Sequence, residues 1–160
     1  MKKNQKIAGR FREVVLDGKW VVQTNYKAQL SGLSWEQATK KIGSLNTIAD
    51  LTFHIHYYIS GILNVLEGGK LEIKDQFSFN YIPIQSQQVW EALLAKLWYD
   101  TEKFASIVEQ MNEAQLDEDF SNEQYGDYAK NINALIEHCY YHLGQIVLIK
   151  KLQFDTSKLP

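Results

Sequence analysis

The stretch Ile48-Ala49-Asp50-Leu51-Thr52-Phe53-His54-Ile55-His56-Tyr57-Tyr58-Ile59-Ser60-Gly61-Ile62-Leu63-Asn64-Val65-Leu66 decides the fold. Within it Ile48, Leu51, Ile55, Ile59, Ile62 and Leu66 return every three or four residues, which sets them on one stripe of an α-helix. Asn46 or Thr47 stands at the N-cap, Asp50 in the first turn complements the positive end of the helix dipole, and Gly68 and Gly69 stop the helix. An apolar stripe of this kind must be covered, and three further segments carry matching stripes. Residues 3–16 present Ile7, Phe11, Val14 and Val15, with Gly18 placed for a left-handed C-terminal cap. Residues 86–111 present Val89, Leu93, Leu97, Thr101, Phe104 and Val108. Residues 127–152 present Tyr128, Ile132, Leu135, Cys139, Leu143 and Ile146, with Lys150 and Lys151 near the negative end of the dipole. The predicted fold is therefore all-α, a four-helix bundle.

The connections are also legible. Residues 19–33 are expected to be an ordered linker packed through Trp20, Val21, Val22, Tyr26 and Leu30. Ser34 with Gln37 three residues later is a capping-box pattern, opening a short helix that Gly43 closes. Residues 69–85, with Pro83, are long for a link between antiparallel neighbours, so a crossover is expected there. Residues 112–126 read as an acidic, polar loop.

With 160 residues, the chain is expected to be one domain spanning 1–160. Its 45% hydrophobic and 22% charged residues, with two prolines, are those of a globular protein. The net charge of −2, with neither sign gathered into a block, gives no electrostatic footprint for a nucleic acid. The single cysteine, Cys139, excludes an internal disulfide, a four-thiolate metal site and a CxxC redox pair. Charges at Arg10, Arg12, Glu13 and Asp17 interrupt any apolar core of an export signal. The least charged stretch, 51–66, is shorter than the roughly 20 apolar residues of a bilayer span. The expected location is cytoplasmic, with no membrane partner.

Chemistry concentrates in four histidines, His54 and His56 on one long helix and His138 and His142 on the last. At about 100° per residue, positions 138 and 142 lie one above the other and can chelate one ion. His54 and His56 point roughly 200° apart, so at most one of them joins a common site. His54 lies to one flank of its apolar stripe, and His138 and His142 lie to the same flank of theirs. A cavity-edge position of this kind suits a neutral imidazole that accepts a metal. Asp50, one turn before His54, is placed to accept from its other ring nitrogen. Asn131 and Gln145 share the helix edge of His138 and His142 and suit the floor of a polar pocket. The bland alternative is that the histidines are partly buried packing residues.

Other chemistries lack their residues. Positions 139 and 141 are cysteine and tyrosine, so the glutamate base of an HExxH protease is missing. Paired Glu-x-x-His segments of a carboxylate-bridged di-iron bundle are absent, and no glycines assemble a phosphate-cradling loop. Cys139 falls on the inner stripe, where a thiol behaves as a small apolar side chain.

Two segments carry a family resemblance: Asn46-Thr47-Ile48-Ala49-Asp50-Leu51-Thr52-Phe53-His54-Ile55 and Glu137-His138-Cys139-Tyr140-Tyr141-His142-Leu143-Gly144-Gln145-Ile146. They resemble the DinB-like (DinB/YfiT-like) superfamily, in which a helix reading TIAELxxHI supplies one histidine and a late helix reading HxxxHxGQI supplies two. Leu33-Ser34-Trp35-Glu36-Gln37-Ala38 is similar to the family's approach to the first ligand. The resemblance spans nearly the whole chain. It implies an up-down-down-up bundle, with His54, His138 and His142 as ligands of one divalent metal ion (Zn, Ni, Fe or Mn) and His56 outside the set. Relatives of that family include bacillithiol-using thiol S-transferases and a mycothiol-dependent isomerase.

The resulting expectation is a divalent-metal-dependent enzyme acting on a small molecule, possessing a mononuclear three-histidine site with room for water or substrate. Transfer of a low-molecular-weight thiol cosubstrate to a small electrophile leads. A metal-dependent hydrolase and a non-catalytic helical bundle serving self-association or partner binding are the alternatives, and a homodimer is expected. The connection 69–85, with Phe77, Phe79 and Tyr81, is the candidate lid.

Overall fold

The computed structural model describes residues 1–154; the last six residues of the expected domain lie outside the described residues. It is all-helical, a bundle of α1 (Lys3–Arg12), α2 (Tyr26–Leu30), α3 (Trp35–Thr39), α4 (Ile48–Leu66), α5 (Gln87–Gln110) and α6 (Tyr128–Phe154), with no strand among the described residues. α1 continues into one wide π-helical turn, Glu13–Asp17. None of the described helices is long and apolar enough to cross a membrane.

Local chemistry starts each long helix. The Thr47 hydroxyl accepts from the Asp50 N–H at 3.0 Å while the Asp50 carboxylate accepts from the Thr47 N–H at 2.7 Å, a reciprocal box that fixes where α4 begins. Ser86 Oγ caps α5 through the Val89 N–H. Gly68, at φ +88°, ends α4 in the left-handed region that glycine adopts freely.

α1 packs on α5 and α6, and α4 packs on α5 and α6, so the four long helices close a ring. Their directions follow from the side chains that bridge them. Asn4 donates to the carbonyls of Glu109 and Met111, whereas Arg12 pairs with Glu102, which makes α1 and α5 antiparallel. His56 pairs with Asp100 and Glu67 with Lys103, so α4 and α5 run parallel. Leu51 shares a cleft with Gln145 and Leu148, while Val65 lies beside Tyr128, so α4 and α6 are antiparallel. Arg10 Nη1 donates to Asn133 at 2.9 Å between α1 and α6.

The core is one contiguous cluster in which Phe11, Tyr26, Ile48, Leu51, Ile55, Trp90, Leu97, Phe104, Ile132 and Ile146 are buried. Phe11 meets Phe104 with ring centroids 4.5 Å apart. Burial at roughly 25 cal/mol per Å2 of apolar surface makes this cluster the main source of stability.

Several expectations need correction. Gly18 does not form a left-handed cap; its φ is −81°. It is needed because a Cβ there would lie 2.6 Å from Glu13 Cα, inside the wide turn. The short helix α3 keeps its capping box but ends at Lys40, and Gly43, at φ +53°, turns the chain afterwards. In the 19–33 linker Tyr26 and Leu30 are buried, but Trp20 is 88% exposed and Val21 and Val22 lie outside. The Tyr26 hydroxyl anchors this segment on the Cys139 carbonyl at 2.8 Å, so the turn ahead of it projects outward. In α5 the buried row opens with Trp90 and Leu94, while Val89 is exposed and Leu93 half-buried. The indole N–H of Trp90 reaches the Leu33 carbonyl at 3.1 Å, which seats Trp90 inward in the first turn, while Leu97, Thr101, Phe104 and Val108 are buried as expected. The 112–126 loop is polar yet buries Leu116 and Phe120 and contains two 3-10 turns.

Phe104→Ala is expected to cost about 3–5 kcal/mol by opening a cavity against Phe11, whereas Trp20→Ser should stay within about 0.5 kcal/mol. Urea unfolding of the two variants beside the parent checks the contrast.

Candidate metal centre

The antiparallel seam between α4 and α6 sets His54 opposite His138 and His142, which stand one turn apart on α6. His54 Nε2 lies 3.1 Å from His138 Nε2, and His142 Nε2 lies 2.8 Å from the same atom. One ligand atom from each residue lies within 4.8 Å of the others. The rings meet edge to face, with centroids 4.6 to 5.0 Å apart. His54 and His142 are buried and His138 is half-buried.

Proton counting shows what this arrangement suits. Gln145 Oε1 accepts a hydrogen bond, so the 2.7 Å contact from His142 Nδ1 puts the proton of the neutral ring on Nδ1 and a lone pair on Nε2. His138 Nε2 has close contacts to two nitrogens at once. If it carries a lone pair, it faces the lone pair of His142 at 2.8 Å; if it carries a proton, that one proton is shared between His142 and His54. A cation gives each nitrogen a full partner, because all three then act as acceptors toward one centre. Nitrogens bound at the 2.0–2.1 Å typical of zinc stand roughly 2.9 to 3.4 Å from one another, close to the two short separations here. The donor set, imidazoles only, suits a first-row divalent ion.

Electrostatics points the same way. Burial lowers the pKa of all three imidazoles. His138 is brought down to about 4, by burial first and then by His142 and His54, against an opposing pull from Asp75. The rings are therefore neutral at pH 7, the protonation state that binds metal.

The surroundings differ in part from expectation. Asp50 does not serve His54: its two oxygens accept from the Thr47 N–H and, at 2.6 Å, from the Tyr81 hydroxyl. Capping and the Tyr81 bond already occupy the carboxylate. His54 Nδ1 is buried with no hydrogen-bond partner. The Ser78 backbone favours the protonated ring, but its geometry falls short of a full bond. Gln145 does hold His142, whereas Asn131 donates to the Tyr125 and Asp127 carbonyls at the start of α6 and lies away from the centre. His56 points to the other side of α4 and bonds Asp100 at 2.8 Å, a tie between helices. Cys139 is buried and free, and burial pushes its thiol pKa up.

Residues that periodicity does not single out complete the walls. Phe79 stacks on His54 at 4.4 Å with 18° between the planes. Tyr58 stands edge-on to both His54 and His138, and its hydroxyl donates to Asp75 at 2.7 Å. A cleft of about 380 Å3 beside Gln145 is lined by Ser44, Leu45, Asn46, Leu51, Leu148 and Ile149 and by none of the three histidines.

The three lowered imidazole pKa values make stability fall with acid. The unfolded chain binds protons near pH 6.5 and the folded chain only lower, down to about 4 for His138. Unfolding therefore takes up protons in this window, and the stability present above pH 6.5 is lost as pH falls toward 4. Metal-free protein should show a falling thermal midpoint between pH 6.5 and 5, where carboxylates stay ionised. His138→Asn should flatten that slope; equal slopes would count against buried neutral rings.

In comparisons with known proteins, no family model matches the chain, and no curated protein or solved structure does so either.

Proposed function

We propose that this chain is a DinB-like metal-dependent enzyme in which His54, His138 and His142 hold one divalent ion and a low-molecular-weight thiol is transferred to a small electrophile. The observation that carries the proposal is the convergence of three imidazole nitrogens, one from each histidine, within 4.8 Å of one another. Two further features support the family reading. The paired segments around His54 and around His138 and His142 match its motifs. The helix directions, with α1 and α6 opposed to α4 and α5, agree with an up-down-down-up bundle.

When bound, a first-row divalent ion supplies the Lewis acidity that keeps a thiol deprotonated at neutral pH. The remaining work falls to side chains. The neutral imidazoles present lone pairs without competing protons, and Gln145 fixes the tautomer of His142. Phe79 and Tyr58 pack on the His54 ring and shield it.

Thiol transfer is put ahead of hydrolysis on the family resemblance. A thiol, with an ordinary pKa of about 8.5, also gives up its proton more readily than water does. Cys139 is excluded as the protein's own nucleophile, since it is buried and its thiol is held protonated.

Tag-free protein should carry one divalent ion per chain, lost in His138→Ala and His54→Ala and kept in His56→Ala, as read by elemental analysis. Gln145→Ala should weaken metal affinity about 10–100-fold. Metal-loaded protein supplied with low-molecular-weight thiols and monochlorobimane should form the thioether faster than His54→Ala. Stoichiometric metal with no such rate would leave the metal site standing and remove thiol transfer.

A further inference from the structure

The chain between α4 and α5 lies across the histidine-bearing part of α4 and is pinned there at several points. The Tyr57 hydroxyl donates to the Lys74 carbonyl at 3.1 Å and accepts from the Lys74 N–H at 2.9 Å. Tyr58 bonds Asp75, and Tyr81 bonds Asp50. Between these ties Ser78 is fully buried and Phe79 lies flat on the His54 ring. The close approach depends on a residue with no side chain. A Cβ at Gly61 would lie 2.4 Å from Ile73 Cγ1 and 2.8 Å from its Cδ1.

We propose that residues 73–81 form a positioning strap for the metal centre, with Phe79 setting the plane of the His54 ring and Gly61 serving as the docking point on α4. The inference rests on the metal reading above and extends it to residues that touch no ion. Its physical basis is the asymmetry between the buried histidines. His142 is oriented by a hydrogen bond from Nδ1 to Gln145. His54 has no such bond, since its Nδ1 is buried without a partner. Its plane about χ2 is set by the groups packed on it: the face of Phe79, the Ser78 backbone beside it, the edge of Tyr58 and the two histidine rings across the seam. Lifting the strap removes the first of these and lets Nε2 swing off the common centre. Outer residues of this kind typically change metal affinity 10–100-fold.

Gly61→Val tests the proposal. Valine does not penalise the helix relative to glycine, but its methyls collide with Ile73, and Ile73→Ala restores the space. Two readouts are taken. In metal-free protein the imidazole protons of His54, observed by NMR, should be shifted upfield by the Phe79 ring; the shift should disappear in Gly61→Val and return in Gly61→Val/Ile73→Ala. On titration with Zn2+, affinity should fall about 10–100-fold in Gly61→Val and recover in the double variant, with the helical circular dichroism unchanged. Phe79→Leu, made in the connection and not on α4, should produce the same loss of affinity and covers the case in which Gly61→Val does not fold. Folded Gly61→Val or Phe79→Leu protein that binds Zn2+ as tightly as the parent overturns the proposal. So does a His54 resonance that is the same in parent and Gly61→Val protein. A shielded His54 in a parent that binds no Zn2+ overturns the metal reading instead, and reduces the strap to packing.

Discussion

The packing of α4 against α6 brings three neutral imidazole nitrogens within 4.8 Å of one another. That packing extends along the whole seam. Leu51 and Ile55 on α4 and Leu135, Leu143 and Ile146 on α6 are buried in the same core that fixes the distance between the two helices. The histidines do not build this seam; they are held in position by it. A site placed on two packed helices is more exact than one placed on loops, because helix register cannot drift without disturbing the whole apolar row.

The same constraint explains how charge is distributed around the centre. Burial lowers the pKa of all three rings, and the nearby carboxylates are engaged by phenols and a helix cap. Asp50 contributes twice to the geometry: it fixes the first turn of α4, and through Tyr81 it anchors the far end of the connection that covers His54. The start of the helix, His54 one turn later and the chain lying over it are thus tied to one carboxylate.

What the sequence reveals follows from which forces are local. α4 is legible because a reciprocal cap, an apolar stripe and a glycine stop all lie within its own residues. The clustering of His54, His138 and His142 is legible because pitch places them on matching flanks and the family resemblance selects His54 over His56. The register of the first turns of α5 is not, since the choice between Val89 and Trp90 depends on the Leu33 carbonyl more than fifty positions away. The exposure of Trp20 is hidden for a related reason: the tie that decides it is made by Tyr26 to Cys139. The roles of Ser78 and Phe79 are also set at long range, by the approach of Ile73 to Gly61, so only the aromatic content of the connection hints at them.

The one sulfur nucleophile of the described chain stands next to His138 in sequence and points away from it, because a single residue step on a helix turns Cys139 into the core. Burial there holds the thiol protonated and away from solvent, so an alkylating reagent added to the folded protein would meet the imidazoles and phenols around His138 before it met the cysteine.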